Sequence, residues 1–153
     1  MYFMAQLKIG DKVPEFSVSD DRGNIQSLSD YFGRKLIIFF YPKANTPGCT
    51  AEACDLRDHY KELKEEGYSL LGVSADSTKA QHNFSKKFNF PFPLLADENK
   101  KVINIFGVWG PKKFMGKEYE GILRKTFIID EKGFVERIIE KVKTKEHASQ
   151  ILN

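Results

Sequence analysis

Apolar and polar positions alternate from Pro14 to Ser19, which predicts a strand, and Asp21-Arg22-Gly23-Asn24 then reads as a turn. Leu36 to Tyr41 is an unbroken apolar run rich in Ile and Phe, the pattern of a central strand buried on both faces, and Pro42 ends it. Ala53, Leu56, Tyr60 and Leu63 recur at helical spacing, with Gly67 as a stop, so a helix is predicted over 47–66. Ser69 to Ser74 predicts a second buried strand. A helix follows with Ala80, Phe84 and Phe88 on one face and Ser77 or Asp76 as its cap. Leu94 to Ala96 and a short helix near Lys100 to Phe106 come next. Lys125 to Asp130 and Phe134 to Ile139 form a hairpin around Glu131-Lys132-Gly133, and Thr144 to Leu152 closes the chain as a short helix. No repeat, low-complexity tract or linker interrupts this order, so residues 1–153 read as one domain. Strands alternating with helices and ending in a hairpin predict a layered α/β fold: a central mixed β-sheet with helices on both faces. The pattern alone does not choose among such three-layer sandwiches.

Composition narrows the function classes. The 153 residues are 41% hydrophobic and 13% aromatic, enough for a core without disulfide or metal support, and disorder is excluded. The longest apolar run is six residues, against roughly 20 for a membrane helix. Lys and Arg number 24 against 21 Asp and Glu, and the two signs interleave, as in Lys61-Glu62-Leu63-Lys64-Glu65-Glu66, which reads as a solvated face. Neither nucleic acid nor membrane is therefore an expected partner. The start, Met1-Tyr2-Phe3-Met4-Ala5-Gln6, has no basic or apolar signal region, so a cytoplasmic location is expected. Phe88, Phe90, Phe92, Phe106, Trp109 and Phe114 make an aromatic-rich middle section that reads as core or pocket wall.

The two cysteines, Cys49 and Cys54, carry the candidate chemistry. The junction between the apolar strand and the first helix reads Tyr41-Pro42-Lys43-Ala44-Asn45-Thr46-Pro47-Gly48-Cys49-Thr50. Thr46 suits an N-cap and Pro47 the first helical position, which puts Cys49 third in the helix. Its sulfur would then sit among unpaired backbone N–H groups at the positive end of the helix dipole, where a thiolate is favoured over a thiol. Gly48 lets another group approach the backbone closely. Cys54 lies about 7.5 Å further along the axis and about 140° around it. A disulfide needs Cα atoms within roughly 7 Å, so an intact helix does not hold one: the thiols stay apart, or the first turns unwind when they pair. Asp55 and His59, four apart, could pair on the helix surface.

These residues resemble the peroxiredoxins, specifically the Q-type or bacterioferritin comigratory protein subgroup. The resemblance rests on Tyr41-Pro42-Lys43, Thr46-Pro47-Gly48-Cys49-Thr50, Cys54, Leu56 and Arg57. It continues through Phe106-Gly107-Val108-Trp109-Gly110, Gly116-Lys117, Tyr119, Gly121, Arg124 and Phe127-Ile128-Ile129-Asp130. It implies a thioredoxin-like three-layer sandwich and a thiol-dependent peroxidase needing no metal, haem or flavin. By the same resemblance Cys49 would attack the peroxide and Cys54 would resolve the sulfenic acid as an intrachain disulfide. Thr46 would hydrogen-bond the sulfur and the peroxide, Pro42 would shield the site, and Arg124 would stabilise the thiolate and the leaving oxygen. Arg124 comes from the resemblance alone, since spacing does not select among Arg22, Arg34, Arg57, Arg124 and Arg137. The implied partners are a peroxide substrate and a thioredoxin- or glutaredoxin-type reductant, and the chain is expected to be a monomer, with a weak dimer as the alternative.

Two other readings stand beside this one. A dithiol oxidoreductase without a peroxide step typically uses Cys-x-x-Cys, whereas four residues separate these cysteines. A metal-binding or chaperone-like module would need ligands that converge, and His59, His82 and His147 are scattered and read as ordinary surface histidines.

Overall fold

The structure is a computed structural model that describes residues 5–153, so Met1 to Met4, and with them most of the start read for a signal, lie outside the described residues. In chain order the elements begin with β1 (Ser17–Ser19), β2 (Ile25–Ser27), a single 3-10 turn (Leu28–Tyr31) and β3 (Lys35–Phe40). Helices α1 (Pro47–Asp58) and α2 (Tyr60–Glu65) follow, then β4 (Tyr68–Ser74), α3 (Thr78–Phe88), β5 (Leu94–Ala96) and α4 (Lys101–Phe106). A hairpin of β6 (Trp109–Phe114) and β7 (Lys117–Ile122) precedes β8 (Thr126–Ile129), β9 (Val135–Ile139) and α5 (His147–Leu152).

Five strands form the central sheet in the order β5-β4-β3-β8-β9. β3 and β4 run parallel, as do β4 and β5, while β8 is antiparallel to both β3 and β9, which makes the sheet mixed as expected. The uniform apolarity of β3 has a direct cause, because alternate side chains enter two separate cores. Leu36, Ile38 and Phe40 pack on one face with Val102, Ile103 and Phe106 of α4. Ile37, Phe39 and Tyr41 pack on the other with Cys49, Ala53 and Leu56 of α1, Phe84 of α3 and Ile151 of α5. The second core also takes up Phe90 and Phe92, which stack at 5.3 Å and continue to Phe39 and Phe84.

Several elements differ from the sequence reading. The strand expected from Pro14 covers only Ser17–Ser19, paired with β2 in a separate two-stranded sheet. The helix expected over 47–66 breaks at His59, whose backbone leaves helical geometry (φ −110°, ψ 12°). There the Asp55 carbonyl is approached both by the His59 amide, at 3.2 Å, and by its ring Nδ1, at 2.8 Å. Leu56 and Leu63 stay buried on either side of the break, so the apolar spacing continues across it. The β6–β7 hairpin carried no strand signal because most of its residues are exposed on both faces, and Phe114 at its tip is 66% exposed rather than core or pocket wall. Met115 and Gly116 make its turn with both φ angles positive (51° and 80°). Ser77, not Asp76, caps α3, accepting from the Ala80 N–H at 3.1 Å.

Gly72 of β4 lies against the second core, and a Cβ there would sit 2.7 Å from Leu94 Cδ2 and 2.8 Å from Phe39 Cζ. Gly72→Ala is therefore expected to lower the unfolding free energy by about 1–3 kcal/mol, read as a lower urea midpoint at unchanged slope.

Candidate active site around Cys49

The site is built where β3 gives way to α1. The loop after Tyr41 is held by Asp76, whose Oδ2 accepts from the Ala44 N–H at 2.8 Å and from the Ser74 hydroxyl at 2.6 Å. Asn45 takes a left-handed conformation (φ 62°), and Thr46 then stands extended at the N-cap with Pro47 first in the helix. The Thr46 hydroxyl does not cap: its Oγ1 donates to the Lys43 carbonyl at 2.7 Å. The first-turn N–H groups of α1 thus receive no side-chain cap, and the positive end of the helix is left for the third residue, Cys49.

Cys49 is 1% exposed, and its Sγ accepts from Arg124 Nη2 at 3.2 Å. Arg124 arrives from the connection between β7 and β8, beside the end of β3 where α1 begins. Gly48 eases that approach, since a Cβ there would lie 3.3 Å from Nη2 and the guanidinium would have to shift by a few tenths of an ångström. The other terminal nitrogen, Nη1, donates to Glu52 Oε1 at 2.7 Å. Burial works against the charge on Arg124, while Glu52 and Cys49 favour it, and the balance holds the guanidinium above its ordinary range. Cys54 is a free, half-buried thiol on the same helix that packs against the second core, with burial pushing it up and Arg57 opposing. Pro42 is half-buried at the start of the loop. The structure therefore joins Cys49 to Arg124, turns the Thr46 hydroxyl to Lys43, and leaves Cys54 five residues along the helix.

Comparison with known proteins shows the family of the chain. The profile of the AhpC/TSA family matches residues 9–138. Peroxiredoxin Bcp of Escherichia coli strain K12 is 45% identical over 150 residues, covering 98% of this chain and 96% of the relative. Peroxiredoxin Bcp of Bacillus subtilis is 44% identical over 146 residues, covering 95% and 93%. Among solved structures, Xanthomonas campestris peroxiredoxin Q superposes with a TM-score of 0.87 at 36% identity, covering 97% of this chain and 94% of that one. A PrxQ variant from Xylella fastidiosa reaches 0.91 at 30% identity, covering 98% and 96%. The chain is a peroxiredoxin of the AhpC/TSA family. Its sheet and helices are those of the thioredoxin-fold peroxiredoxins, as the sequence resemblance implied.

Behind the cysteine of this peroxiredoxin lies a polar group that sequence reasoning missed. Glu52 is fully buried, and burial raises its carboxyl to about 7 against the pull of Arg124. His147, read from the sequence as a surface residue, is instead fully buried. Its Nε2 lies 2.7 Å from the Thr126 hydroxyl and 3.6 Å from Glu52 Oε2, and burial pushes its ring below the usual range. The correction has a physical basis: α5 docks on α1, where Asp55 Oδ2 accepts from the Ala148 N–H at 2.8 Å and seats the neighbouring ring. Glu52 had a signal, because three residues after Cys49 it shares the inward side of α1 with Ala53 and Leu56. Lys112 of β6 also reaches the neighbourhood, donating to the Ile122 carbonyl at 2.9 Å, with its ammonium lowered by burial and by Arg124. The Asp55 and His59 side chains approach to 3.7 Å at the helix surface. Among the described residues no three His, Cys, Asp or Glu side chains converge as a metal site.

The folded protein binds the Glu52 proton more tightly than the unfolded chain does. The stability this provides is fully present below about 4.5 and is lost as pH rises through about 7. Compared with Glu52→Gln, the unfolding free energy is expected to fall by about 3 kcal/mol across that window and to level off above it, measured by urea titration at a series of pH values.

Proposed function

We propose that this peroxiredoxin reduces hydrogen peroxide and organic hydroperoxides with Cys49 as the attacking thiolate and Cys54 as the resolving thiol. The observation that carries the reading is the Arg124 guanidinium 3.2 Å from Cys49 Sγ, beside an uncapped helix N-terminus. Attack by the thiolate breaks the O–O bond, so negative charge leaves sulfur and develops on the departing oxygen. A donor able to serve both atoms lowers that barrier, and a permanently charged fork of N–H groups suits the task. The departing alkoxide or hydroxide takes a proton and leaves as alcohol or water, and Cys49 becomes a sulfenic acid. Thr46 lies one helical turn before the sulfur, and its hydroxyl would turn from Lys43 toward the incoming peroxide. Pro42 would limit water at the loop. The bacterioferritin comigratory protein of Xanthomonas campestris has alkyl peroxide reduction activity, in line with an organic hydroperoxide as one substrate here.

The Cys54 thiolate then attacks the sulfenic sulfur, expelling hydroxide that leaves as water and forming an intrachain disulfide, which also blocks further oxidation of Cys49. A dithiol protein of the thioredoxin or glutaredoxin type would return both thiols. A cytoplasmic location and a monomeric or weakly dimeric state belong to the same reading. The disulfide requires α1 to unwind, and that helix is tied to its surroundings by Glu52 to Arg124, Asp55 to Ala148, and Arg57 to the Phe88 carbonyl at 2.8 Å.

One equivalent of hydrogen peroxide added to the reduced protein is expected to consume both thiols with no oxygen adduct in the intact mass. Cys49→Ser should not react, and Cys54→Ser should react once and stop at the sulfenic acid. Full peroxidase activity in Cys49→Ser would overturn the reading. Rapid insulin reduction without peroxide consumption would favour a dithiol exchanger instead. On oxidation, amide protection is expected to drop across Pro47–Asp58 and the start of α5 but not in β3 or β4, as hydrogen exchange would show. Unchanged protection in α1 would exclude the unwinding route.

A further inference from the structure

We infer that Glu52 and His147 hold one buried proton between them behind Arg124, and that this proton commits the guanidinium's charge to Cys49. His147 is thereby a positioning residue, acting through Glu52 and Arg124 and touching neither sulfur nor substrate. The inference rests on the peroxidase reading above.

Hydrogen bonding around the ring fixes where hydrogens are already committed. Gln150 Nε2 donates to the Lys141 carbonyl at 2.9 Å, so its Oε1 is the atom that accepts from the Lys143 N–H at 2.9 Å and faces His147 Nδ1 at 2.8 Å. A carbonyl oxygen opposite Nδ1 requires that nitrogen to carry the hydrogen. In the neutral ring Nε2 therefore presents a lone pair. The nearest atoms to it are the Thr126 hydroxyl at 2.7 Å and Glu52 Oε2 at 3.6 Å. Among the described residues Glu52 Oε2 has no hydrogen-bond partner, and both side chains are fully buried. With the Nε2 lone pair taken by the Thr126 hydroxyl, an ionised Glu52 would leave a charged acceptor, Oε2, buried without a donor, which is costly. A single proton removes the conflict, on the carboxyl or on Nε2. Burial favours the neutral form of both groups, which places it on Glu52.

Charge counting gives this proton its consequence. One cation, Arg124, contacts two acids, Cys49 and Glu52. With both acids ionised the buried cluster carries a net negative charge and the guanidinium is shared. With the proton retained, the cluster is neutral when Cys49 is a thiolate, and Arg124 serves sulfur and the leaving oxygen. The other titratable groups facing the pair are committed elsewhere. Asp55 on α1 accepts from the Ala148 N–H, and Lys112 on β6 donates to the Ile122 carbonyl.

The test measures the second-order rate constant for oxidation of the reduced protein by hydrogen peroxide, by stopped flow from about pH 6 to about pH 9. The wild type is expected to lose about tenfold in rate constant as Glu52 ionises above neutrality. Glu52→Gln, which fixes a neutral group of the same shape, should lack that fall. His147→Gln offers Oε2 an N–H donor that favours the carboxylate, and it should move the fall about one pH unit lower. Independently of turnover, the infrared difference between wild type and Glu52→Gln at pH 6 should show a protonated-carboxyl C=O stretch. A rate constant flat with pH in the wild type, or falling equally in Glu52→Gln, overturns the inference, as does absence of that band. If no variant consumes peroxide, the peroxidase reading fails. The band and the pH dependence of Cys49 alkylation by iodoacetamide then decide the inference separately.

Discussion

The arrangement depends on one guanidinium that has two acids to satisfy. Arg124 gives one terminal nitrogen to Cys49 and the other to Glu52, and three separate features exist to let it do so. The antiparallel pairing of β3 with β8 brings the segment before β8 alongside the end of β3, where α1 begins. Gly48 keeps the helix surface low enough for the guanidinium to lie against it. Glu52, one turn beyond Cys49, fixes the far side of the fork and so its orientation. A lysine in place of Arg124 would keep the charge but lose the fork, and with it the simultaneous reach to sulfur and carboxyl.

The loop before α1 shows how the fold holds this geometry without using Cys49, Arg124 or Glu52 themselves. Tyr41 donates its buried hydroxyl to Gln81, which donates in turn to Ser74 and to the Leu95 carbonyl. Ser74 donates to Asp76, and Asp76 takes the Ala44 N–H. The chain of bonds runs from the C-terminal ends of β3 and β4 to the residue before Asn45. The cysteine-bearing helix therefore starts from a point fixed by the sheet. The Thr46 hydroxyl, three residues before Cys49, takes no part in this chain of bonds and donates locally to the Lys43 carbonyl.

How much of this was legible in the sequence follows from where each signal lives. β3, β4 and α3 were readable because burial imposes a local period: uniform apolarity in a strand covered on both sides, and a three-to-four spacing in a helix covered on one. The β6–β7 hairpin was not, since residues exposed on both faces leave no period, and the break at His59 was not, since burial continues through it. Cys49 was legible because its setting is local: a strand end, a proline and a cap within eight residues. Arg124 and His147 depend on partners 75 and 95 positions away, a distance at which single-sequence spacing carries nothing. Resemblance recovered Arg124 from five arginines. Nothing recovered His147, because a single polar residue at the start of a short terminal helix carries no sign of burial.

On the proposed chemistry, the position of Cys54 joins electrostatics to helix stability. Glu52 lies between the two cysteines and Asp55 immediately after the second, so the contacts that anchor α1 are those that disulfide formation must release. While Cys49 is a thiolate, its attraction to Arg124 adds to these anchors and holds the first turns wound. Conversion to a sulfenic acid removes the negative charge from sulfur, and that attraction goes with it. The helix is then weakest when Cys54 has to reach the sulfur, and it is strongest when the peroxide has yet to arrive. A Cys-x-x-Cys pair, already within one turn, would need no such release and would gain no such timing. The five-residue spacing thus turns the loss of one ion pair into the signal that opens the helix.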